Sequence, residues 1–449
     1  CSSDLFKSVY HCRYSEDTFC LKFKHVSSLP NSSTSMTTDL HQVAAGILTV
    51  TIFIMFANVI KREKLHSIDD AHRDDNLEMD SGGKIMLQTL ERSWGHGNDP
   101  WITNDDIALK PCWNKTAVLG YDMDHPRGFV TFLLTYGPEY HFSQIADALG
   151  VARYLKATLI LPYIRENSGD TMYSTYRLLP QTIKLFFYRK FNEIYDEEIF
   201  LHSVEGVVSI RHELLADVYD TAVVVKVPTC MNDDFIKRNV VPIFKKRRKI
   251  RLAFYFPSRN MRKSKNSEMS ESHYLACLGM FTSLKLNKKI TGAADLMITQ
   301  LKTMSHRSRF IAIDFKQKTT RNSPKEIARF LRNLGFTKDT VIYTTGNGNG
   351  MKEVFPQTYS KGELGNSERG EVERAIDMYI CSRSDVFVPA EGGVFYRSVV
   401  GERVSMGKTV VLVPATAPGG STQARDHLSP YISKKSHVAY SCFCSKDVR

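Results

Sequence analysis

Apolar and polar positions change their spacing between residues 128 and 162, and each change predicts a different element. The run Gly128–Tyr136 is short and rich in β-branched and aromatic residues, which is typical of a buried strand. Ala157–Leu161 has the same character and predicts a second strand. Between them, apolar side chains recur at helical spacing, at Phe142, Ile145, Leu149, Ala152 and Leu155.

A strand, a helix and a strand in this order make the two strands parallel neighbours. The Gly137-Pro138 corner between the first strand and the helix then lies at the carboxyl edge of the sheet. The first free N–H groups of the helix point toward any ligand at that edge, so the corner is suited to a phosphate.

The alternation continues along the rest of the chain. It predicts strands at 221–227, 252–256, 309–314, 341–345, 385–389 and 409–413, and helices at 323–334, 371–381 and 394–400. Ser323 and Glu326 have the spacing of a capping box at the start of one helix. We therefore predict two consecutive α/β domains with parallel sheets, at 128–300 and 301–449, whose facing carboxyl edges form a cleft.

One segment predicts a membrane anchor. Leu40–Ile60 contains no Asp, Glu, Lys or Arg over about 21 residues, enough to span a bilayer core. We expect a transmembrane signal anchor at 39–60, after an extension at 1–38 and before a polar stem at 61–127. Lys61, Arg62 and Lys64 follow the anchor, so charge alone would leave the large domain in the cytosol.

Two other features favour a lumenal domain. Asn114 begins an N-glycosylation sequon, and a disulfide from Cys112 to Cys442 or Cys444 would need an oxidising compartment. The apolar surroundings of the other cysteines in the globular part predict reduced core residues, at Cys230, Cys277 and Cys381. Cys442 and Cys444 lack the second ligand pair of a zinc site, and we predict no metal. Asp122 and Asp124 precede the first strand rather than ending one, so we assign them no metal either.

The net charge of the chain limits the classes of ligand to expect. The composition, with 24% charged and 42% hydrophobic residues, is that of a folded protein, and the net charge of +12 favours anionic ligands. The basic run Lys245–Lys249 adjoins a predicted strand. It fits a solvated turn better than a nucleic-acid patch, and we predict no nucleic-acid partner.

Five stretches together carry a resemblance to a known family. They lie in order between about Asp39 and Cys444, and they read TYGPEYHFSQIADALGVARYLKATLILPYIR, KVPTCMNDDFIKRNVVPIFKKRRKIRLAFYFPSRNMRKS, SPKEIARFLRNLGF, SRSDVFVPAEGGVFYRSVVGERV and SPYISKKSHVAYSCFC. The chain resembles the plant O-fucosyltransferase-like glycosyltransferases, and among them the mannan-synthesis-related proteins. The resemblance implies a GT-B-like fold of two Rossmann-type domains, with a GDP-sugar donor bound between them and no metal or other cofactor. It also implies a single-pass type II Golgi protein with a lumenal catalytic domain, and Met36 as the start of the chain.

The resemblance also implies site residues. The corner containing Gly137, Glu139 and His141 stands where the family has its glycine-rich first motif, so Gly137 is expected at the donor diphosphate, and Glu139 or His141 is expected to orient the acceptor. The last family motif implies donor recognition by Asp385, Glu391, Gly392 and Gly393. Arg403 and Lys408, which follow in the chain, are candidates for neutralising the donor phosphates, and the alternative for both is a solvated helix end.

The middle motif departs from the family. Family members place an Arg after the strand that opens the second domain, with an acidic residue two positions later, whereas this chain has Lys316 and Lys318. Lys316 keeps the positive charge that stabilises a leaving diphosphate but lacks the planar fork of Arg. A basic and aromatic insert at Tyr173–Lys190 is a second departure.

The sequence therefore predicts a glycosyltransferase that moves a sugar from a GDP-sugar to a glycan or protein hydroxyl, in plant cell-wall mannan synthesis. The alternative is a non-catalytic partner of a mannan synthase, which the Lys316 departure favours.

Overall fold

The computed structural model describes Trp101 and residues 109–112, 127–165, 188–212, 222–228, 231–254, 270–315, 322–366, 368–414 and 427–445. The predicted anchor at 39–60 and the extension before it lie outside these residues, as do Asn114, Asp122, Asp124, Cys230, Lys316 and Lys318. The insert is described only from Tyr188 onward. None of the helices in the described residues has the length and apolarity needed to cross a bilayer.

Strands and helices alternate through the described chain. The strands are β1 Leu109–Pro111, β2 Phe129–Leu134, β3 Thr158–Ile160, β4 Tyr163–Arg165, β5 Tyr188–Arg189, β6 Ile210–Arg211, β7 Val223–Val227, β8 Lys249–Phe254, β9 Ile311–Asp314, β10 Ile342–Thr344, β11 Thr358–Ser360, β12 Val386–Pro389 and β13 Phe443–Ser445. The helices are α1 Pro138–Leu155, α2 Glu197–Val204, α3 233–247, α4 271–282, α5 Lys288–Met304, α6 Pro324–Asn333, α7 Asn349–Lys352, α8 Gly370–Arg383, α9 Val394–Ser405, α10 Pro430–Ser433 and α11 Ala439–Cys442. Helices α3 and α4 each contain a π-helical turn, at Ile236–Val240 and Leu278–Thr282.

The first sheet contains a parallel block in the order β7-β8-β2-β3-β6. The last residues of β2 also pair in parallel with β4, which carries β5 as an antiparallel edge strand. Helix α1 connects β2 to β3, as the apolar pattern predicts, and it starts at Pro138, directly at the Gly-Pro corner. Pro at the first helical position needs no hydrogen-bond donor, which explains a start at this residue.

The second sheet is parallel throughout, in the order β11-β10-β9-β12. Every residue of β9 and β12 is buried, as expected for strands covered on both faces. The capping box at Ser323 and Glu326 is confirmed at the start of α6. The predicted strand at 409–413 is reduced to isolated bridges, from Val411 to Phe387 and from Leu412 to Leu428.

The two predicted domains share a core. One apolar cluster contains residues of β2, α1, α8 and α9, and α1 packs against both α8 and α9. The predicted boundary at residue 300 falls inside α5, which is continuous and packs against α8. The carboxyl edges of the two sheets are consequently held near each other by packed helices rather than by a flexible linker.

Two parts of the predicted stem belong to the folded unit. Trp101 is buried and its ring meets Phe336 edge to face, at 5.3 Å between ring centroids. Strand β1 pairs antiparallel with β13 near the end of the chain. The stem prediction for 61–127 therefore overlooks these two contacts, because isolated short apolar segments give no periodic signal in a polar stretch.

Disulfides fix the same region. The predicted bridge from Cys112 goes to Cys444. Cys442 pairs instead with Cys277, so the prediction that Cys277 is a reduced core cysteine is wrong, whereas Cys381 is free and buried as predicted. His273 lies beside Cys277 and Cys442, but their sulfur atoms are consumed by the disulfide and do not form a thiolate site for a metal.

Candidate active site

Polar residues from both sheets meet where their carboxyl edges face each other. Gly137 precedes α1 at the end of β2, and its φ of 104° makes the tight corner. Asp314 ends β9, and Lys361 directly follows β11. Arg374, together with Glu373 and Asp377, lies in the first two turns of α8, which begin at the same edge.

Arg374 joins the two sheets. Its Nε donates to Glu139 Oε1 of α1 at 3.2 Å, and its Nη1 donates to Asp314 Oδ1 of β9 at 3.1 Å. The guanidinium also stacks on the Phe395 ring, 3.5 Å from the centroid, which fixes its plane. About 29% of the Arg374 side chain remains exposed, so it can also meet a ligand from solvent.

Glu139 is held more rigidly than an ordinary helix carboxylate. It is buried, and Ser398 of α9 donates to its main-chain oxygen at 2.9 Å. Burial raises the pKa of Glu139, although the Arg374 charge opposes that shift. Its Oε2 accepts no hydrogen bond within the described chain. A buried carboxyl with one committed and one uncommitted oxygen is suited to accepting a proton.

A second buried ion pair involves Asp377, which lies three positions after Arg374 on α8. Lys361 Nζ donates to Asp377 Oδ2 at 2.8 Å and to Glu373 Oε1 at 2.9 Å. The Tyr343 hydroxyl donates to the other oxygen of Asp377 at 2.7 Å. Burial alone would lower the pKa of Lys361, but Asp377 and Glu373 raise it, so the ammonium stays charged.

The raised pKa of Asp377 should make the free energy of unfolding depend on pH. Burial raises its pKa to about 6, against 3.8 in an unfolded chain, so the folded state binds this proton more tightly. The free energy of unfolding should therefore fall as pH rises from about 4 to about 6. Asp377→Asn should remove on the order of 2 kcal/mol of that fall, measured by denaturant unfolding at several pH values. An unchanged slope in the variant would contradict the assignment.

His141 lies on α1, two positions after Glu139. Its side chain is completely buried, and Nδ1 lies 2.7 Å from the Tyr195 hydroxyl. Burial lowers the pKa of His141 to about 3, so the ring is neutral. Nε2 has no hydrogen-bond partner among the described residues. His141 thus lies next to the predicted site, and in this conformation it has no access to solvent.

The Glu391-Gly392-Gly393 loop lies where the sequence predicts it, between β12 and α9 at the carboxyl edge. Ala390, just before the loop, donates from its main-chain nitrogen to the Asp314 carbonyl at 3.1 Å. A Cβ built on Gly392 or Gly393 meets no heavy atom within 4 Å, so the main chain here is open to a close approach.

Gly137→Ala tests the corner. The new Cβ would lie 2.7 Å from Glu139 Oε2, and the positive φ of Gly137 strains any other residue. We expect a loss of about 1–3 kcal/mol in unfolding free energy. Gly292→Ala is the matched control, because that position lies in α5 with no neighbour within 4 Å, and should gain about 0.5–1 kcal/mol. Equal midpoints for both variants in thermal unfolding would refute the steric argument.

Two predicted donor-binding residues lie away from the cleft. Asp385 precedes β12 and therefore lies at the amino edge, where its carboxylate accepts from the Phe310 main-chain nitrogen at 2.9 Å. Arg403, at the end of α9, is completely buried. Its guanidinium donates to main-chain oxygens that include Ser384 at 2.7 Å and Val410 at 2.8 Å. Both residues hold the scaffold, and neither faces the cleft.

Sequence reasoning missed Arg374, Asp314, Lys361 and Asp377. Arg374 is 235 positions from Glu139 and 60 from Asp314 along the chain, so no local pattern connects them. The available signal was positional. Asp314 falls at the carboxyl end of a predicted strand, which is where ligands bind in open parallel sheets, whereas Lys361 follows β11, a strand that the pattern did not predict.

Comparison with known proteins adds a family. The model described as GDP-fucose protein O-fucosyltransferase matches residues 142–406. The Arabidopsis thaliana protein MANNAN SYNTHESIS-RELATED 1 is 40% identical over 449 residues, covering 91% of this chain and 100% of the relative. The MANNAN SYNTHESIS-RELATED protein of Trigonella foenum-graecum is 35% identical over 445 residues, covering 90% and 99%.

Solved structures are more distant. A crystal structure of POFUT1 in complex with GDP-fucose superposes with a TM-score of 0.39 at 11% identity, covering 64% of this chain and 99% of that one. NodZ alpha-1,6-fucosyltransferase soaked with GDP-fucose gives a TM-score of 0.38 at 15% identity, covering 66% and 98%. At these values the likeness carries no argument about the site.

Proposed function

The chain belongs to the GDP-fucose protein O-fucosyltransferase family, together with the mannan synthesis-related proteins, and from this premise we propose that it is a glycosyltransferase. The proposed reaction moves a sugar from a GDP-sugar to a hydroxyl of a glycan or protein. The proposed place is the cleft between the two sheets, around Glu139, Asp314 and Arg374.

The observation that carries this proposal is the double contact of Arg374. A guanidinium that joins the carboxyl edges of two parallel sheets lies where nucleotides bind in such folds. Its planar fork suits a diphosphate, and its remaining exposure leaves donors available. Lys316 lies outside the described residues, but in sequence it is two positions after Asp314, which ends β9 at this edge.

The residues divide the chemistry between them. Arg374 and Lys316 would neutralise the charge that develops on the leaving GDP, the role that a divalent metal has in other transferases. The open main chain at Gly392 and Gly393 would admit the nucleotide. Glu139, whose pKa is raised by burial, would accept the proton of the acceptor hydroxyl.

Donor titration tests the proposal. GDP-fucose and GDP-mannose are titrated separately into the purified full chain by calorimetry, and GDP release is then followed with and without oligosaccharide acceptors. We expect saturable binding of one donor and acceptor-dependent release of GDP. Absence of binding at millimolar donor would end the enzyme proposal.

A second candidate function is support of a mannan synthase without catalysis. The observation that favours it is Lys316 with Lys318, in place of the Arg and the acidic residue typical of the family. Lys316→Ala separates the two functions in a plant that lacks this protein. A supporting protein with this change should still restore mannan, whereas a transferase should not.

We propose further that the catalytic domain works in the Golgi lumen, in cell-wall mannan synthesis. The names of the relatives and the two disulfides, Cys112–Cys444 and Cys277–Cys442, support this proposal, since disulfides persist in oxidising compartments. The predicted anchor at 39–60 would supply the membrane attachment. Asn114→Gln should abolish an endoglycosidase-sensitive shift in mass, and a wild-type chain without such a shift would count against a lumenal domain.

A further inference from the structure

The amino edge of the first sheet, opposite to the cleft, carries a dense group of positive charges. Arg127 precedes β2, Lys156 precedes β3 and Arg248 precedes β8. The last turn of α3 ends at the same edge and adds three more basic side chains. All six are exposed, and together they define the basic face: Arg127, Lys156, Lys245, Lys246, Arg247 and Arg248.

The backbone holds these residues in a fixed arrangement. Arg127 N donates to the Lys156 carbonyl at 3.1 Å, and Phe129 N donates to the Arg248 carbonyl at 2.8 Å. Gly128 allows the close approach, because a Cβ there would lie 2.1 Å from the Arg248 carbonyl oxygen. The charges therefore stand on a rigid sheet edge rather than on a long loop.

Within the described ranges, the basic face has no acidic partner. No carboxylate in the described part of the chain forms an ion pair with any of its six side chains, whereas the nearby Arg153 is paired with Glu271 at 2.6 Å. Helices α1 and α3 both end at this edge, and their dipoles favour cations by about 0.3–1 kcal/mol each. That explains one or two positive residues, whereas the described residues provide no carboxylate partner for any of the six, so a bound anion would reduce their mutual repulsion.

We propose that the basic face binds an acidic polysaccharide, whose ring carboxylates pair with the lysines and arginines. Tyr154 supplies the second element of such a site. It stands on the last turn of α1, two positions before Lys156, and is 42% exposed. An exposed aromatic ring in the helix turn that ends at this edge can stack on the apolar face of a sugar ring while its hydroxyl stays in water.

The same features disfavour other polyanions. Membrane surfaces are bound by cations together with several Trp, Phe or Leu side chains that insert. Single-stranded nucleic acid needs successive aromatic platforms. Among the exposed large apolar residues in the described chain, Tyr154 is the one within two positions of a basic-face residue. A single platform fits one sugar ring in a charged chain.

This site is independent of the proposed transfer reaction. It lies at the amino edge of the first sheet, whereas Glu139 and Arg374 lie at the carboxyl edge. The bound polysaccharide would hold the protein to its glycan surroundings and leave the cleft accessible.

Binding of fluorescent oligogalacturonate to the purified full chain, measured by anisotropy over a range of NaCl concentrations, tests the proposal. The test variant is Lys245→Ser, Lys246→Ser, Arg247→Ser. The matched control is Lys288→Ser, Lys289→Ser, Lys338→Ser, which removes three exposed charges from other elements. We expect affinity to fall about tenfold or more in the test variant and less than about twofold in the control. The slope of log Kd against log[NaCl] should fall by about two to three in the test variant only. Tyr154→Ala should weaken the affinity about fivefold.

The alternatives have defined outcomes. Equal weakening by both triple variants would show general charge attraction and overturn the site. Tighter binding to phosphatidylserine vesicles or to single-stranded RNA than to oligogalacturonate would overturn the choice of polysaccharide. Wild-type protein that does not bind oligogalacturonate at 100 mM NaCl would overturn it as well. Thermal unfolding and GDP-sugar titration of each variant separate misfolding and failure of the proposed transfer from loss of this site.

Discussion

Arg403→Met should lower the free energy of unfolding by about 3 kcal/mol or more, the largest stability effect expected from one substitution outside the disulfides. The Arg403 guanidinium is buried and donates to the main-chain oxygens of Ser384, Asp385 and Val410. Ser384 and Asp385 connect α8 to β12, and Val410 follows the end of α9. Methionine fills a similar volume but donates nothing, so the buried carbonyls lose their partners.

Arg403→Lys should recover only part of this loss. Burial lowers the pKa of Arg403 to about 10, which still leaves it charged at neutral pH. An ammonium has three donors on a single atom, whereas the guanidinium reaches oxygens on two sides with Nη1 and Nη2.

Denaturant unfolding of the full chain measures both variants, with Arg332→Met as the matched control. Arg332 is exposed in the last turn of α6, and its substitution should change stability by less than about 0.5 kcal/mol. If Arg403→Met and Arg332→Met have the same midpoint, Arg403 is not a structural residue and its assignment to the scaffold fails.

The opening strand–helix–strand unit was predictable because its signals are local. The β-branched run, the Gly-Pro corner and the helical stripe specify β2, α1 and β3 within one or two residues. Asp385 and Arg403 were assigned to donor binding, whereas the structure places both away from the cleft. A residue that precedes a parallel strand lies at the edge opposite to the ligand-binding loops, and β12 is parallel to β9.

Cysteine pairing and the composition of the cleft were not predictable. Cys277 is 165 positions from Cys442, and its apolar neighbours give no indication of a bridge. Arg374 lies on a helix that the pattern predicts, but its partners come from a different sheet and from a distant helix. Contacts of this range follow from how the two sheets pack, which a periodic pattern does not encode.

Arg374→Ala should reduce acceptor-dependent GDP release about a hundredfold or more, because it removes the cation between the two sheets and the charge stabilisation expected for the leaving diphosphate. It also leaves Glu139 and Asp314 without their common counterion. Arg374→Lys keeps one positive charge but cannot bridge Glu139 and Asp314 with two separate N–H groups, so an intermediate loss is expected.

The pH profile distinguishes a role in the reaction from simple loss of packing. Arg374 lowers the pKa of Glu139 against the effect of burial, so its removal raises that pKa further. A proton acceptor must be ionised to work, and the acid limb of kcat/KM should therefore move to higher pH in Arg374→Ala. Arg369→Ala, an exposed change just before α8, should leave both the rate and the limb unchanged. A rate loss in Arg374→Ala with an unmoved acid limb and a lowered unfolding midpoint would instead mean that Arg374 only holds the two sheets together.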